Sequence, residues 1–392
     1  MANFYCADYV FPVSSEPIKN GTVSVGTDGT IIEVFPPDSL ELESQQIEKL
    51  DGIIVPGFVN SHCHLELSHL HQKIPEKQGL ISFIKSVIEL RKNSSPGEIE
   101  EAMKLADKKM WENGIVAVAD ISNRIDSKKV KTESELYYYT FIEVLSFEPD
   151  RAKEAFRQAS ELLSEFSPLH GSIAPHSSYS ASKELFRFIG KFCGEAGSPL
   201  TLHNQESEDE NKLYRYKTGD LLDFYQDMGI NIDFFKPQAR NSIQSIIPLI
   251  PLKQKAMLVH NTYTSLKDIY FALRSGRLIT WCFCPNANLY IENRLPKVEM
   301  FQYHDFGITI GTDSLASNSG LCILSELKTL HSHFPVLALQ ETIQWATING
   351  AKFLGIDDRF GSIEKGKKPG LNLITNMNGM KLTVDSKVRK LA

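Results

Sequence analysis

The feature that most constrains the fold is the regular alternation of short apolar runs with amphipathic stretches through the middle of the chain. Strand-like runs occur at residues 53–64, 115–120, 138–144, 171–174, 200–203, 256–260, 279–284 and 308–313. Helical patterns separate most of them. Residues 81–92 set Ile81, Ile84, Val87, Ile88 and Arg91 at helical spacing. Residues 98–111 do the same with Ile99, Met103, Ala106, Met110 and Trp111, until Asn113-Gly114 stops the helix. Further helical stretches fall at 182–193, 266–275 and 321–331. Eight strands alternating with helices predict an α/β fold, a (β/α)8 TIM barrel over residues 56–361. A doubly wound open sheet is the structural rival, and strand counting alone does not separate the two.

Both ends of the chain read differently. "GTVSVGTDGTIIEVFP" is a hairpin pattern turning at Asp28-Gly29, and "GSIEKGKKPGLNLIT" and "KLTVDSKV" near the other end also alternate with turn residues.

Composition narrows the function classes. A net charge of −6 argues against a general binder of nucleic acid or anionic membrane. No 18-residue apolar run is present, and "MANFYCADYVFPVSS" lacks the basic start and apolar core of a secretory signal. The six cysteines include no Cys-x-x-Cys, so free thiols in a cytoplasmic protein are expected.

Barrel enzymes act at the carboxyl ends of their strands. His62 and His64 close the first run, His176 follows the fourth, His203 closes the fifth, His260 the sixth and Asp313 the eighth. In a strand, residues i and i+2 share a face, so His62 and His64 can converge on one ion while Cys63 points away. His331-Ser332-His333 is an internal control: the pair ends a helical stretch, where such residues do not face each other. Glu206 lies three residues beyond His203 and could reach a group bound above the barrel, whereas Glu208, Asp209 and Glu210 read as solvated acids. An acid directly after a buried strand, as Asp313 is, is costly unless it binds a metal or pairs with a cation. Three imidazoles and one carboxylate suit Zn²⁺, Fe²⁺ or Mn²⁺ better than Ca²⁺ or Mg²⁺. An open position on such an ion makes hydroxide available near neutral pH, which is hydrolase chemistry.

In these residues the chain resembles the amidohydrolase superfamily, in the branch that holds guanine, S-adenosylhomocysteine and aminodeoxyfutalosine deaminases and the triazine chlorohydrolases. The motifs are "PGFVNSHCHLEL", "APHSSYSAS", "HNQES", "VHNTY", "CPNANLYI", "GTDSLASN" and the tail "GSIEKGKKPGLNLI". The resemblance implies a small β-sandwich domain built from residues 1–55 and 362–392 beside the barrel. It implies His62, His64, His203 and Asp313 as ligands of one divalent metal, zinc first and Fe²⁺ or Mn²⁺ as alternatives. Pro175-His176 stands where binuclear members carry a bridging lysine, which favours a single ion. Glu206 would protonate a ring nitrogen, His260 would orient the water, Asp313 would accept its proton, and His176 would lie at the substrate. Glu66, in a His-x-His-x-Glu pattern, would bind ribose hydroxyls or be an ion-paired rim acid. The implied reaction is hydrolytic deamination of an aminated purine, nucleobase or nucleoside, with release of ammonia. The alternatives are a dechlorinase or cyclic-amide hydrolase of the same superfamily, and a catalytically silent relative, which the full ligand set disfavours. A small heterocyclic substrate and homo-oligomers are the implied partners.

Overall fold

The computed structural model describes residues 2–302 and 307–392. Its strands are β1 (Ala2–Val10), β2 (Ile18–Lys19), β3 (Thr22–Gly26), β4 (Ile31–Phe35), β5 (Ile47–Pro56), β6 (Phe58–Cys63), β7 (Ile115–Ser122), β8 (Tyr137–Val144), β9 (His170–Pro175), β10 (Leu200–Asn204), β11 (Lys255–His260), β12 (Leu278–Phe283), β13 (Gly307–Ile310), β14 (Leu371–Thr375) and β15 (Lys387–Lys390).

Two parallel four-stranded sheets occupy the centre, in the orders β6-β7-β8-β9 and β10-β11-β12-β13. Every residue of β7, IVAVADIS, is buried, as parallel strands covered on both faces must be. Parallel bridges span both seams between the sheets, Ser177 to His203 on one side and Cys63 to Asp313 on the other. Helices join successive strands. Leu80–Lys92 and Pro96–Glu112 follow β6, and Ser95 caps the second by accepting the Glu98 N–H. Lys183–Ala196 follows β9 and ends on Gly197, whose φ of 66° suits glycine at a helix C-terminus.

The terminal segments meet in one mixed sheet, ordered β15-β14-β5-β1-β3-β4, with β2 paired to β1. The hairpin expected at Asp28-Gly29 joins β3 to β4. The run expected as one strand over 53–64 is instead two strands in two sheets, β5 with the terminal strands and β6 in the centre. Pro56-Gly57 makes the break. Gly57 passes so close to its neighbours that a Cβ there would lie 2.3 Å from Val116 Cγ1 and 2.5 Å from the Pro369 carbonyl oxygen. Among the described residues no helix is long and apolar enough to cross a membrane.

Candidate metal centre

The ends of β6 and β10 and the turn after β13 bring four ligating groups together. His62 lies in β6, His64 one residue past its end, His203 in β10, and Asp313 three residues past β13. All four are buried, and one ligand atom from each falls within 4.8 Å of the others. His64 Nε2 sits 3.2 Å from His62 Nε2 and 3.1 Å from His203 Nε2. Asp313 Oδ1 is 3.5 Å from the Nε2 atoms of both His62 and His64. Tetrahedral zinc with Zn–N near 2.0–2.1 Å requires ligand–ligand edges of about 3.3–3.4 Å, so the spacing fits. The tautomer fits too. His203 Nδ1 donates to the His176 carbonyl at 2.8 Å, which leaves the lone pair on Nε2 facing the other ligands.

The turn that carries Asp313 is clamped to β6. The amides of Thr312 and Asp313 both donate to the His62 carbonyl at 3.0 Å. Asn60 brackets Thr312, donating to its Oγ1 at 2.7 Å and accepting its N–H at 3.0 Å. Gly311 is needed there, because a Cβ would lie 2.7 Å from His62 Cβ. His260 (φ 73°) and Asp313 (φ 57°) both hold left-handed backbone, a conformation disfavoured for side-chain-bearing residues that persists where surrounding structure enforces it.

Burial lowers the basicity of His62, His64 and His203, the last well below the ordinary imidazole value. Burial works to raise the Asp313 carboxyl, but its hydrogen bond to His62 and the fields of His64 and His260 hold it well below the usual range. All four groups are therefore disposed to be deprotonated, the state a metal requires. Ser317 Oγ also donates to Asp313 Oδ2.

Glu206 and His260 stand next to this cluster, with His260 Nε2 3.6 Å from Glu206 Oε1. Burial, reinforced by the negative charges of Asp313, Glu292 and Glu210, pushes the Glu206 carboxyl well above its ordinary value. His260 Nδ1 donates to Asn288 Oδ1 at 2.8 Å, leaving Nε2 as the acceptor on the cluster side. His176 directly follows β9 and its ring lies against that of His203, centroids 4.5 Å apart and planes tilted by 45°.

Glu66 does not open onto free space. It is 3% exposed; Oε2 accepts from Arg91 at 2.8 Å and from the Asn123 amide at 3.2 Å, and Oε1 accepts from the Arg124 amide at 3.1 Å. Of the two arrangements weighed for it, the ion-paired one is present, because a carboxylate buried this deeply needs a cation and donors. The control pair also parts company: His331 bonds Thr342 Oγ1 and His333 turns back to the Thr329 carbonyl.

Three contributors were missed in the sequence. Ser317 and Asn288 lie inside motifs already singled out, on loops whose folding alone brings them back to Asp313 and His260. Glu143 is the penultimate residue of β8, so a rule of polar strand ends would have found it had it reached past the closing Val144. Glu143 Oε1 lies 2.7 Å from His176 Nδ1 and 3.5 Å from His203 Nδ1. These three residues also meet the spacing of a metal group. But His203 Nδ1 is spent on the His176 carbonyl and His176 Nδ1 on Glu143, so the trio is a hydrogen-bonded support.

Comparison with known proteins finds similarities in sequence and in fold. The chain is 27% identical over 364 residues to an adenosine deaminase of Helicobacter pylori, covering 88% of this chain and 85% of that protein. It is 24% identical over 354 residues to a 5-methylthioadenosine/S-adenosylhomocysteine deaminase of Pyrococcus abyssi, covering 86% and 76%. In fold it is similar to the aminofutalosine deaminase of H. pylori crystallised with methylthio-coformycin, with a TM-score of 0.81, 21% identity and all of both chains covered. A triazine hydrolase from Arthrobacter aurescens superposes with a TM-score of 0.71 at 16% identity, over 95% of this chain and 86% of that one. The model of the amidohydrolase family matches residues 53–389, from the end of β5 through every ligand to β15, and the chain belongs to that family.

Proposed function

We propose that this chain hydrolytically deaminates an adenosine derivative, a 6-aminopurine nucleoside, using one divalent metal, zinc. The two central sheets, bridged at both seams, are read as a single closed (β/α)8 barrel whose carboxyl end forms the site. His62, His64, His203 and Asp313 would hold the ion, which when bound supplies a nucleophilic water near neutral pH. The rest falls to the protein. Glu206, held protonated by burial, gives its proton to a purine ring nitrogen as the amino-bearing carbon is attacked. His260 Nε2 accepts a hydrogen bond from the attacking water and fixes its approach. Asp313 takes one proton of the water and passes it to the amino group, which leaves as ammonia, and the remaining hydroxyl proton returns to Glu206 as the carbonyl forms.

The observation that carries this reading is the pairing of a four-residue His/Asp cluster with a buried glutamate, Glu206, beside it and 3.6 Å from His260 Nε2. Attack on an aromatic C–N centre needs an acid for the ring nitrogen, whereas an unassisted hydrolytic site does not. Relatives named as adenosine, 5-methylthioadenosine/S-adenosylhomocysteine and 5'-deoxyadenosine deaminases support the same substrate class.

The test is ammonia release from zinc-loaded protein offered adenosine, 5'-deoxyadenosine, methylthioadenosine, S-adenosylhomocysteine, aminodeoxyfutalosine, guanine and a chlorotriazine. Ammonia from an adenosine derivative, abolished in Glu206→Gln, is expected. Chloride release from the triazine with no ammonia from any nucleoside would overturn it.

A further inference from the structure

We infer that Glu143 is a positioning residue for this site, acting through His176, and that Asn123 and Glu66 hold it in place. This rests on the proposed nucleoside reaction only for the part His176 plays at the substrate.

The observations form one connected ladder across the carboxyl ends of β6 to β9. Arg91, from the helix Leu80–Lys92, pairs with Glu66 at 2.8 Å. Glu66 Oε2 also accepts the backbone N–H of Asn123 at 3.2 Å. Asn123 Nδ2 then donates to Glu143 twice over, to its carbonyl at 3.2 Å and to Oε2 at 3.0 Å. Glu143 Oε1 takes the Nδ1–H of His176 at 2.7 Å. The Glu143 side chain is 6% exposed and that of His176 20%.

An ionised carboxylate only accepts, so this bond sets the tautomer of His176 and points one face of its ring. Nδ1 carries the hydrogen, and Nε2 is the nitrogen left for a bound molecule. His176 also uses its carbonyl, which accepts both the Nδ1–H and the backbone N–H of His203, at 2.8 and 2.9 Å. The residue thus serves the metal ligand through its backbone and the substrate through its ring. Glu143 Oε1 bonds the ring at 2.7 Å but lies 3.5 Å from His203 Nδ1, whose hydrogen already goes to the His176 carbonyl, so the ring is the part that depends on Glu143 most directly.

That division makes the inference testable. In Glu143→Gln, one oxygen becomes an NH2 that must face Asn123 Nδ2 or His176 Nδ1, and both are donors. One buried bond is lost, and Asn123 or His176 turns. Steady-state kinetics with whichever adenosine derivative of the panel above releases ammonia should show KM raised about tenfold in Glu143→Gln, with kcat changed less than about threefold and zinc content unchanged. Because Glu143 acts through His176, the double variant Glu143→Gln/His176→Ala should be no worse than His176→Ala alone. Multiplying effects in the double variant, or activity lost in proportion to lost zinc, would overturn the inference.

A second measurement does not need turnover. Nitrogen-15 histidine spectra of the zinc-loaded protein should show His176 protonated on Nδ1 in the native chain and a changed pattern in Glu143→Ala, which removes the acceptor of that hydrogen. An unchanged pattern would refute the assignment even if no nucleoside is deaminated, an outcome that by itself would refute only the proposed reaction.

Discussion

The buried pair of Lys131 and Asp120 behind the metal-bearing strand gives the sharpest stability prediction. Lys131 Nζ lies 2.6 Å from Asp120 Oδ2, and both side chains are 0% exposed. The ammonium also donates to Ser122 Oγ at 2.8 Å and Thr140 Oγ1 at 3.1 Å, and lies 5.0 Å from the centre of the Phe166 ring. Asp120 Oδ1 accepts the backbone N–H of Leu65, the residue after His64, at 2.8 Å. Lys131→Met keeps most of the volume and removes the cation, leaving an uncompensated buried carboxylate. Breaking such a pair costs about 3–5 kcal/mol, whereas removing both charges is close to neutral. Urea unfolding at fixed zinc should therefore place Lys131→Met about 3–5 kcal/mol below the native chain, and Lys131→Met/Asp120→Asn should recover more than half of that loss. A single variant within about 1 kcal/mol of the native chain, or a double variant less stable than the single, would refute the reasoning.

Three further outcomes follow from the site and its surroundings. Glu206→Gln should lower kcat about 10²–10⁴-fold while zinc still binds, because the lost group moves a proton and is not a ligand; zinc content measured alongside turnover checks it. Asp313→Ala should bind zinc far more weakly, seen as loss of metal on dialysis against a mild chelator, and added zinc should restore the chelated native chain but not the variant. Glu210, expected to be a solvated acid, is instead fully buried and accepts from Ser178 Oγ at 2.7 Å, and burial pushes its carboxyl up to about 7. Its folded value exceeds its unfolded one, so the stability it adds is fully present below about pH 4.5 and lost as pH rises toward 7, about 3 kcal/mol across that window. Glu210→Gln should flatten that slope in unfolding curves at pH 5 and 7.5; an equal slope in both proteins counts against it.

How much was legible in advance can be judged from particular residues. The runs expected at 115–120, 138–144, 200–203 and 256–260 correspond to β7, β8, β10 and β11 within two residues. The helix expected at 81–92 is Leu80–Lys92. The cause is local: a strand's two-residue period, the helix's 3.6 and the punctuation of Gly, Pro and Asn are written into neighbouring positions. The same locality made His62 and His64 readable as residues on one strand face. Residues 53–64 misled because the apolar run resumes directly after the break at Pro56-Gly57, and the pairing of β5 with β1 and β14 shows that its two halves belong to different sheets.

The sequence by itself determined the alternating elements, the side-chain types at their carboxyl ends and the family. Tertiary structure alone decided which of those ends meet. His64, His203 and Asp313 come from distant parts of the chain, and the sheet order and its seams set the 3.1 Å between His64 and His203 and the 3.5 Å between His64 and Asp313. It also set the directions in which the acids shift, Glu206 upward through burial and the charges of Asp313, Glu292 and Glu210, and Asp313 downward through His62, His64 and His260. It paired Glu66 with Arg91, one of the two arrangements the sequence left open, and Glu143, which the sequence reading missed, with His176. The physical reason is one of range. Backbone conformation is governed by near neighbours, but desolvation, electrostatic fields and ligand geometry depend on distances in space, which exist only once the chain has folded.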